Sequence, residues 1–169
     1  MRKELVIGCG SRINKDLYLS GHEEFSNVTT LDYNPDHKAD VVWDLTNHPL
    51  PFKKNTFDEI HCYEVLEHLA NQGDYRFFFD EFTEYARILK DGGYFFATVP
   101  SIGSPWAWGD PSHKRVIAKE SLGFLNQSFY DQVGKTSASD FRYLYKADFD
   151  IAYVKETEHK LKFILEVKK

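Results

Sequence analysis

The sequence opens on a short apolar run, Leu5 to Ile7, that passes directly into the turn Gly8-Cys9-Gly10. Glycine has no Cβ, so it reaches turn conformations that other residues resist and lets a ligand approach the backbone closely. A second strand-like run ends at Asp32, where a carboxylate can accept hydrogen bonds from both hydroxyls of a ribose. This pairing predicts an α/β sheet that binds a nucleoside at the carboxyl ends of its strands.

Two kinds of nucleoside cofactor compete for such a site, a dinucleotide and S-adenosylmethionine. The dinucleotide fingerprint needs a third glycine three positions after the second, and Ile13 occupies that position. Asp32, Asp44 and Glu64 would also repel a pyrophosphate, whereas a sulfonium and an α-amino group favour nearby carboxylates. The residues therefore favour S-adenosylmethionine over a nucleotide-dependent reductase.

Two further strands and several short motifs follow in order along the chain. Ala39 to Leu45 and Phe57 to Val65 are predicted as the third and fourth strands. The motifs are Leu50-Pro51-Phe52, Phe57-Asp58-Glu59-Ile60 and Val65-Leu66-Glu67-His68-Leu69. These strands and motifs follow one another in the order and at the spacing found in the class I S-adenosylmethionine-dependent methyltransferases, which residues 4–100 therefore resemble. The resemblance implies a Rossmann-like, mostly parallel sheet with helices on both faces and a C-terminal antiparallel hairpin.

The resemblance also implies a cofactor site made of three parts. The glycine turn would line the methionine end, Asp32 would hold the ribose hydroxyls, and Asp44 would accept a hydrogen bond from the adenine amino group, with Leu45 against the ring. The backbone of Tyr63 and the neighbouring Glu64 would border the amino acid portion. The complete expected set is Gly8, Cys9, Gly10, Asp32, Tyr33, Asp44, Leu45, Tyr63 and Glu64.

Two positions depart from the family pattern. Many members carry an acidic residue two positions before the first glycine and another glycine two positions after the second, where this chain has Val6 and Arg12. Either substitution could weaken cofactor binding. A cofactor-binding but catalytically inactive partner subunit therefore stays open as an alternative to an active enzyme.

Length, composition and charge limit the class of protein. A chain of 169 residues, 28% charged and 42% hydrophobic, predicts a single domain over residues 1–169. No apolar run approaches the ~20 residues of a membrane helix, and Glu4 interrupts any signal-peptide pattern, so we expect a cytoplasmic protein. The net charge of −5 argues against a nucleic acid partner. A homo-oligomer stays open.

The two cysteines, Cys9 and Cys62, predict free thiols in a reducing compartment. Neither their number nor their spacing indicates a metal site, and the expected metal content is none.

The remaining elements follow from periodicity. Apolar residues at spacings of three and four predict an amphipathic helix from Asp74 to Lys90, which Asp74 would cap and Gly92-Gly93 would end. Tyr94 to Val99 is predicted as the fifth strand. A hairpin is predicted at Phe149 to Glu156 and Leu161 to Lys168. Since the first strand starts near residue 3, this sequence places no helices before it, and the pocket would be closed by internal loops, by another subunit, or not at all.

The loop from Pro100 to Arg115 is the expected acceptor site, because it leaves the carboxyl end of the fifth strand. Trp106 and Trp108 would contact a small-molecule acceptor, although a loop folded back with both indoles buried is the alternative. Methyl transfer to oxygen or nitrogen often uses a base that titrates near neutral pH, and histidine suits that role. His113 on this loop and His68 after the fourth strand are the catalytic candidates.

Overall fold

The structure, a computed structural model, describes residues 1–11 and 13–169. Arg12, one of the two departures from the family pattern, lies outside the described residues. Val6, the other departure, is 4% exposed within the first strand.

One mixed sheet of seven strands forms the centre of the molecule. The strands are β1 (Lys3–Ile7), β2 (Asn27–Asp32), β3 (Val41–Val42), β4 (Phe57–Tyr63), β5 (Leu89–Pro100), β6 (Asp148–Glu156) and β7 (Lys160–Lys168). Their spatial order is β3-β2-β1-β4-β5-β7-β6. β1 to β5 run parallel, and β7 lies antiparallel between β5 and β6. The predicted mostly parallel sheet with a C-terminal antiparallel hairpin is therefore confirmed.

Helices are few in the described residues. The α-helices are α1 (Tyr75–Ile88), α2 (Trp106–Gly109) and α3 (Lys119–Gly123), and 3-10 turns form at Pro35–His37, Leu66–His68 and Gln127–Gln132. None of the helices that the structure describes is both long and apolar enough to cross a lipid bilayer.

Helix α1 covers one face of the sheet. The Asp74 side chain caps it by accepting a hydrogen bond from Phe77 N–H at 3.1 Å, as predicted. Phe82 and Tyr85, both at most 1% exposed, pack on Phe95 of β5 with ring centroids 5.6 and 4.7 Å away. Burial of such aromatic rings contributes most of the packing energy of a core.

The helix does not end at the glycine pair, contrary to the prediction. It stops at Ile88, and Gly92 and Gly93 lie inside β5. A Cβ on Gly93 would stand 2.9 Å from the carbonyl oxygen of Lys90 and 3.1 Å from that of Asp58. Gly93 therefore permits a close approach of backbones where the register between β4 and β5 shifts, and Gly92 has a positive φ of 68°.

The opposite face of the sheet carries charged side chains beside β1 and β4, which we call the buried charge cluster. Glu4, Glu59 and His61 are each at most 1% exposed. Lys15 Nζ lies 2.8 Å from Glu4 Oε2 and 3.0 Å from Glu59 Oε2, and Arg2 Nε lies 3.0 Å from both carboxylates. Lys15 belongs to the segment between β1 and β2, whose described residues form no helix. Ion pairs therefore attach this irregular segment to the sheet.

Candidate functional site

The carboxyl ends of the parallel strands border an open cleft of about 560 Å³, which we call the strand-end cleft. Ligands of open α/β sheets bind at this edge, and the volume falls in the usual range of about 300–1,000 Å³ for small-molecule sites. Seven of the nine expected cofactor residues line it: Gly8, Gly10, Asp32, Tyr33, Asp44, Leu45 and Glu64. The other lining residues are His37, Trp43, Thr46, Val65, His68, Leu69, Ser112 and Lys114.

The glycine turn leaves β1 in a backbone conformation that favours glycine at both positions, with φ of 61° at Gly8 and 57° at Gly10. A Cβ on Gly8 would lie 2.4 Å from Val65 Cγ2, whereas a Cβ on Gly10 would meet no described atom within 4 Å. Gly8 is thus needed where the turn packs against the segment after β4. Gly10 leaves open space beside the cleft, as a ligand near the backbone requires.

Asp32 ends β2 and is only 4% exposed. Its Oδ2 accepts a hydrogen bond from the Gly10 N–H at 2.9 Å, and its Oδ1 accepts one from the Asn34 N–H at 2.9 Å. Burial alone would raise the pKa of Asp32, but these backbone hydrogen bonds lower it below its usual range. Asp32 is therefore an ionised acceptor at neutral pH, and a carboxylate with two partners keeps lone pairs for further hydrogen-bond donors.

β3 ends at Val42 and is therefore shorter than the strand predicted up to Leu45. Beyond it, Thr46 donates hydrogen bonds from both its N–H and its Oγ1 to Asp44 Oδ1, each at 2.8 Å, and these bonds form a local turn. Asp44 is exposed, Leu45 is 6% exposed, and Tyr33 is 73% exposed at the same rim. A planar group held here would meet both a carboxylate and an apolar side chain.

The side chains of Cys9 and Tyr63 lie outside the strand-end cleft. Both line a separate cavity of about 120 Å³ beside the chain between β1 and β2. The Tyr63 hydroxyl donates to the carbonyl oxygen of Leu17 at 3.1 Å and lies 2.7 Å from His61 Nδ1. Burial raises the pKa of Tyr63, so the hydroxyl stays protonated. The expected role of Tyr63 depends on its backbone and stays a prediction.

Glu64 follows β4 with a positive φ of 56°, a conformation that is strained for a residue with a Cβ. Its Oε1 accepts a hydrogen bond from Thr98 Oγ1 at 2.8 Å and lies 3.3 Å from Lys160 Nζ. These contacts hold the Glu64 carboxylate at the cleft. Asp32 ends β2 and Glu64 follows β4, and β1 lies between these two strands.

His68 and His113 come from distant parts of the chain and meet beside the cleft, with ring centroids 4.7 Å apart. His113 Nδ1 lies 2.8 Å from the carbonyl oxygen of Trp106, and His68 Nδ1 lies 3.3 Å from that of Ser112. A carbonyl oxygen only accepts hydrogen bonds, so Nδ1 is the donor in both contacts, while Nε2 of His113 lies 3.9 Å from Asp110 Oδ2. Only His68 lines the cleft; the side chain of His113 is 8% exposed next to it.

Glu67 lies next to His68 in the 3-10 turn Leu66–His68 and is only 2% exposed. Among the described residues neither of its carboxyl oxygens has a hydrogen-bond partner, and burial raises its pKa to about 8. The nearby Arg115 is instead engaged by Glu81 at 2.7 Å and by the carbonyl oxygen of Leu66 at 2.7 Å. A buried carboxyl without a partner is costly, so packing alone does not account for Glu67.

The two tryptophans of the predicted acceptor loop lie on the short helix α2, outside the residues that line the cleft. Trp106 is 65% exposed and Trp108 is 59% exposed. The alternative of buried indoles is therefore wrong, and their role in acceptor binding stays a prediction. From the same loop, Ser112 and Lys114 do reach the cleft.

Sequence reasoning missed His37, which reaches the centre of the site. Its Nδ1 stands 3.0 Å from Asp32 Oδ1, an ion-pair distance without the alignment of a hydrogen bond. The pair Asn34-Pro35 was the available signal, because the Asn34 side chain caps the turn Pro35–His37 by accepting from the Asp36 N–H at 3.0 Å. That turn brings the imidazole back to the end of β2.

A family model described as a methyltransferase domain matches residues 5–97, which is more than half of the 169 residues. Curated protein sequences contain no match to this chain.

Solved structures of low sequence identity share the fold. A SAM dependent methyltransferase from Archaeoglobus fulgidus has a TM-score of 0.61 and 17% identity, covering 98% of this chain and 86% of that one. The complex between the Haloferax volcanii Trm112 methyltransferase activator and a protein assigned as a methyltransferase has a TM-score of 0.62 and 15% identity, covering 99% and 82%. The N-methyltransferase NodS from Bradyrhizobium japonicum WM9, in complex with S-adenosyl-L-homocysteine, has a TM-score of 0.57 and 14% identity, covering 99% and 79%.

Proposed function

The chain belongs to the methyltransferase domain family, and we propose that it transfers a methyl group from S-adenosylmethionine to an oxygen or nitrogen atom of a small-molecule acceptor, such as a sugar or another metabolite. Family membership decides between the two cofactor classes that the glycine turn left open, in favour of S-adenosylmethionine. When bound, this cofactor supplies an electrophilic methyl group on a sulfonium.

One observation carries the proposal: a single cleft joins the glycine turn, Asp32 and Asp44 to His68. Asp32 would bind the ribose hydroxyls, since its carboxylate is ionised and buried. Asp44 would bind the adenine amino group with Leu45 against the ring, and Glu64 would border the amino acid portion. The cleft continues from these residues to His68, Ser112 and Lys114, which leaves that end for the acceptor.

The acceptor's proton would be removed at the histidine pair. Each of His68 and His113 has its Nδ1 fixed by a carbonyl oxygen, which orients the rings and leaves Nε2 as the basic nitrogen. A base of this kind removes a proton while the acceptor lone pair is aligned with the methyl group. Trp106 and Trp108 would cover the planar or sugar-like face of the acceptor from the neighbouring helix α2.

A small acceptor in the cytoplasm fits the charge of the chain. The net charge of −5 disfavours nucleic acid, and an open cleft of about 560 Å³ suits a cofactor with a small molecule beside it. The similar fold in the Trm112 activator complex is the observation that favours the second candidate, a subunit that binds the cofactor and works with a protein partner.

The test has two stages. Calorimetric titration with S-adenosylhomocysteine should show one site per chain, while NADH should show none. Release of S-adenosylhomocysteine from S-adenosylmethionine is then measured over a panel of hydroxyl and amine acceptors. Binding without turnover of any acceptor would favour the partner-subunit alternative, and absence of binding would overturn the proposal.

A further inference from the structure

Glu67, His68 and His113 form a cluster that the proposed base mechanism does not fully use. One carboxylate oxygen of Glu67 and one ring nitrogen of each histidine lie within 4.8 Å of one another. Bonds of about 2.1 Å to a divalent cation bring ligand atoms to roughly 3–4 Å from each other, so a limit of 4.8 Å is close to the separation that a loaded site needs.

The unpartnered carboxyl of Glu67 is the independent observation that points to a ligand. It is 2% exposed, and none of the described residues donates a hydrogen bond to it. Buried carboxylates are normally paired, hydrogen-bonded or bound to a metal. Two cations act on it from nearby, Arg115 and Lys160. Glu81 holds Arg115 at 2.7 Å, with Nη1 of Arg115 left without a described partner, and Lys160 lies 3.3 Å from Glu64.

The hydrogen bonds of the two histidines match those of metal ligands. A ligating imidazole usually donates its other ring N–H to a carbonyl or carboxylate, which fixes the ring and raises its basicity. Here both Nδ1 atoms face carbonyl oxygens, of Trp106 and Ser112. Coordination would therefore use the Nε2 atoms, of which that of His113 lies 3.9 Å from Asp110 Oδ2. Ser112 Oγ, 3.2 Å from His68 Nδ1, donates in turn to Asp110 Oδ1 at 2.6 Å, which adds negative charge behind the pair.

We propose that Glu67, His68 and His113 bind one first-row divalent transition cation at the edge of the strand-end cleft, and that this cation holds a hydroxyl oxygen of the acceptor. Two imidazoles and one carboxylate suit Mn²⁺ or Zn²⁺ better than Mg²⁺ or Ca²⁺, which prefer oxygen ligands. Three protein ligands leave coordination positions open, and His68 lines the cleft, so an open position is available to a molecule in it.

The role toward the acceptor rests on the proposed function, whereas cation binding itself does not. A bound cation lowers the pKa of a coordinated hydroxyl, so the acceptor's proton would leave to water and neither Nε2 would need to accept it. A bound cation and a histidine base would both use Nε2 of His68 and of His113, so they are alternative ways to deprotonate the acceptor.

The test is a titration of chelator-treated protein with MnCl₂, in which the electron paramagnetic resonance signal of free Mn²⁺ reports binding. Wild type should bind one Mn²⁺ per chain, and His68→Ala, His113→Ala and Glu67→Gln should each weaken binding at least tenfold. His159→Ala and Glu23→Gln, at exposed positions outside the cluster, should leave it unchanged. Thermal melts in EDTA verify that each variant is folded.

A second measurement needs no variant. In wild-type protein, substoichiometric Mn²⁺ should broaden the ring proton resonances of His68 and His113 and spare those of His61 and His159. Broadening at His61, binding that survives both histidine substitutions, or no binding of Mn²⁺ or Zn²⁺ by wild type would each overturn the proposal. Titration with S-adenosylhomocysteine in EDTA tests the cofactor site separately, so failure of the cation site is distinguishable from failure of the proposed function.

Discussion

Two clusters of glutamate and histidine in this molecule have similar ingredients and opposite environments. In the buried charge cluster, Lys15 and Arg2 lie within 3.0 Å of Glu4 and Glu59. In the cluster of Glu67, His68 and His113, the described residues leave the Glu67 carboxyl without a hydrogen bond.

The difference separates a structural arrangement from a reactive one. A buried carboxylate that is neutralised by a fixed cation becomes costly only when that cation is removed, and it has little capacity left for a ligand. A carboxyl that is desolvated and unpartnered destabilises the fold and gains most from a ligand that supplies positive charge. The first cluster attaches the irregular segment after β1 to the sheet, whereas the second borders the strand-end cleft.

The largest effect is expected when Lys15 is removed from the buried charge cluster. Lys15→Met should lower the free energy of unfolding by about 3–5 kcal/mol, because two buried carboxylates lose a shared partner. Urea denaturation measures the change, with Lys155→Met, at an exposed position, as the control. Glu67→Gln should keep or raise the stability. If Lys15→Met costs less than about 1 kcal/mol, ion pairs do not hold the segment on the sheet.

The second largest effect is expected at acid pH, where the buried charge cluster should lose stability. Burial alone would raise the pKa of Glu4, but hydrogen bonds from His61 and Lys15 lower it to about 2. A carboxyl with a lowered folded pKa stabilises fully above its unfolded value near 4.5 and loses this contribution as pH falls toward 2. Between pH 6 and pH 3 the loss from Glu4 should be about 2 kcal/mol.

Chemical denaturation across this pH range compares wild type with Glu4→Gln, which should show a flatter acid limb. Equal slopes for the two proteins would mean that Glu4 contributes nothing to the acid sensitivity.

The strand-end cleft is tested by removing its buried acceptor. Asp32→Ala should weaken S-adenosylhomocysteine binding by roughly 10- to 100-fold, since a hydrogen bond to a charged group contributes about 1.5–3 kcal/mol. Calorimetry measures the affinity, and Asp36→Ala removes an exposed carboxylate of the adjoining turn as the control. Unchanged affinity in folded Asp32→Ala protein would contradict the assignment of the ribose site.

The smallest effect on folding and on cofactor binding is expected at the exposed indoles. Replacing Trp106 and Trp108 by alanine should change stability by less than about 0.5 kcal/mol and cofactor affinity by less than about twofold. The backbone carbonyl that holds His113 remains in this variant, so only the contact with the acceptor is removed, and turnover should fall. Loss of cofactor binding or unfolding would instead assign the loop to the cofactor site or the core.

Local patterns predicted much of the sheet. The hairpin predicted at residues 149–156 and 161–168 forms at Asp148–Glu156 and Lys160–Lys168. In β7 the apolar residues that alternate with polar ones, among them Leu161, Phe163 and Leu165, are buried. The cap at Asp74 is likewise a local hydrogen bond. The glycine pair was misjudged because the role of Gly93 depends on Asp58, whose carbonyl oxygen approaches it from the neighbouring strand at the register shift between β4 and β5.

The sequence by itself determined the succession of strands along the chain, the glycine turn after β1 and the carboxylates at Asp32 and Asp44, and it favoured S-adenosylmethionine, since each depends on residues that are close together in the chain. Only the tertiary structure decided that Cys9 and Tyr63 turn their side chains into another cavity, that His37 reaches Asp32, and that His68 meets His113. It also decided that Lys15 neutralises Glu4, while Glu67 stays without a partner among the described residues. Burial and pairing arise between segments that are distant along the chain, so no local pattern carries them.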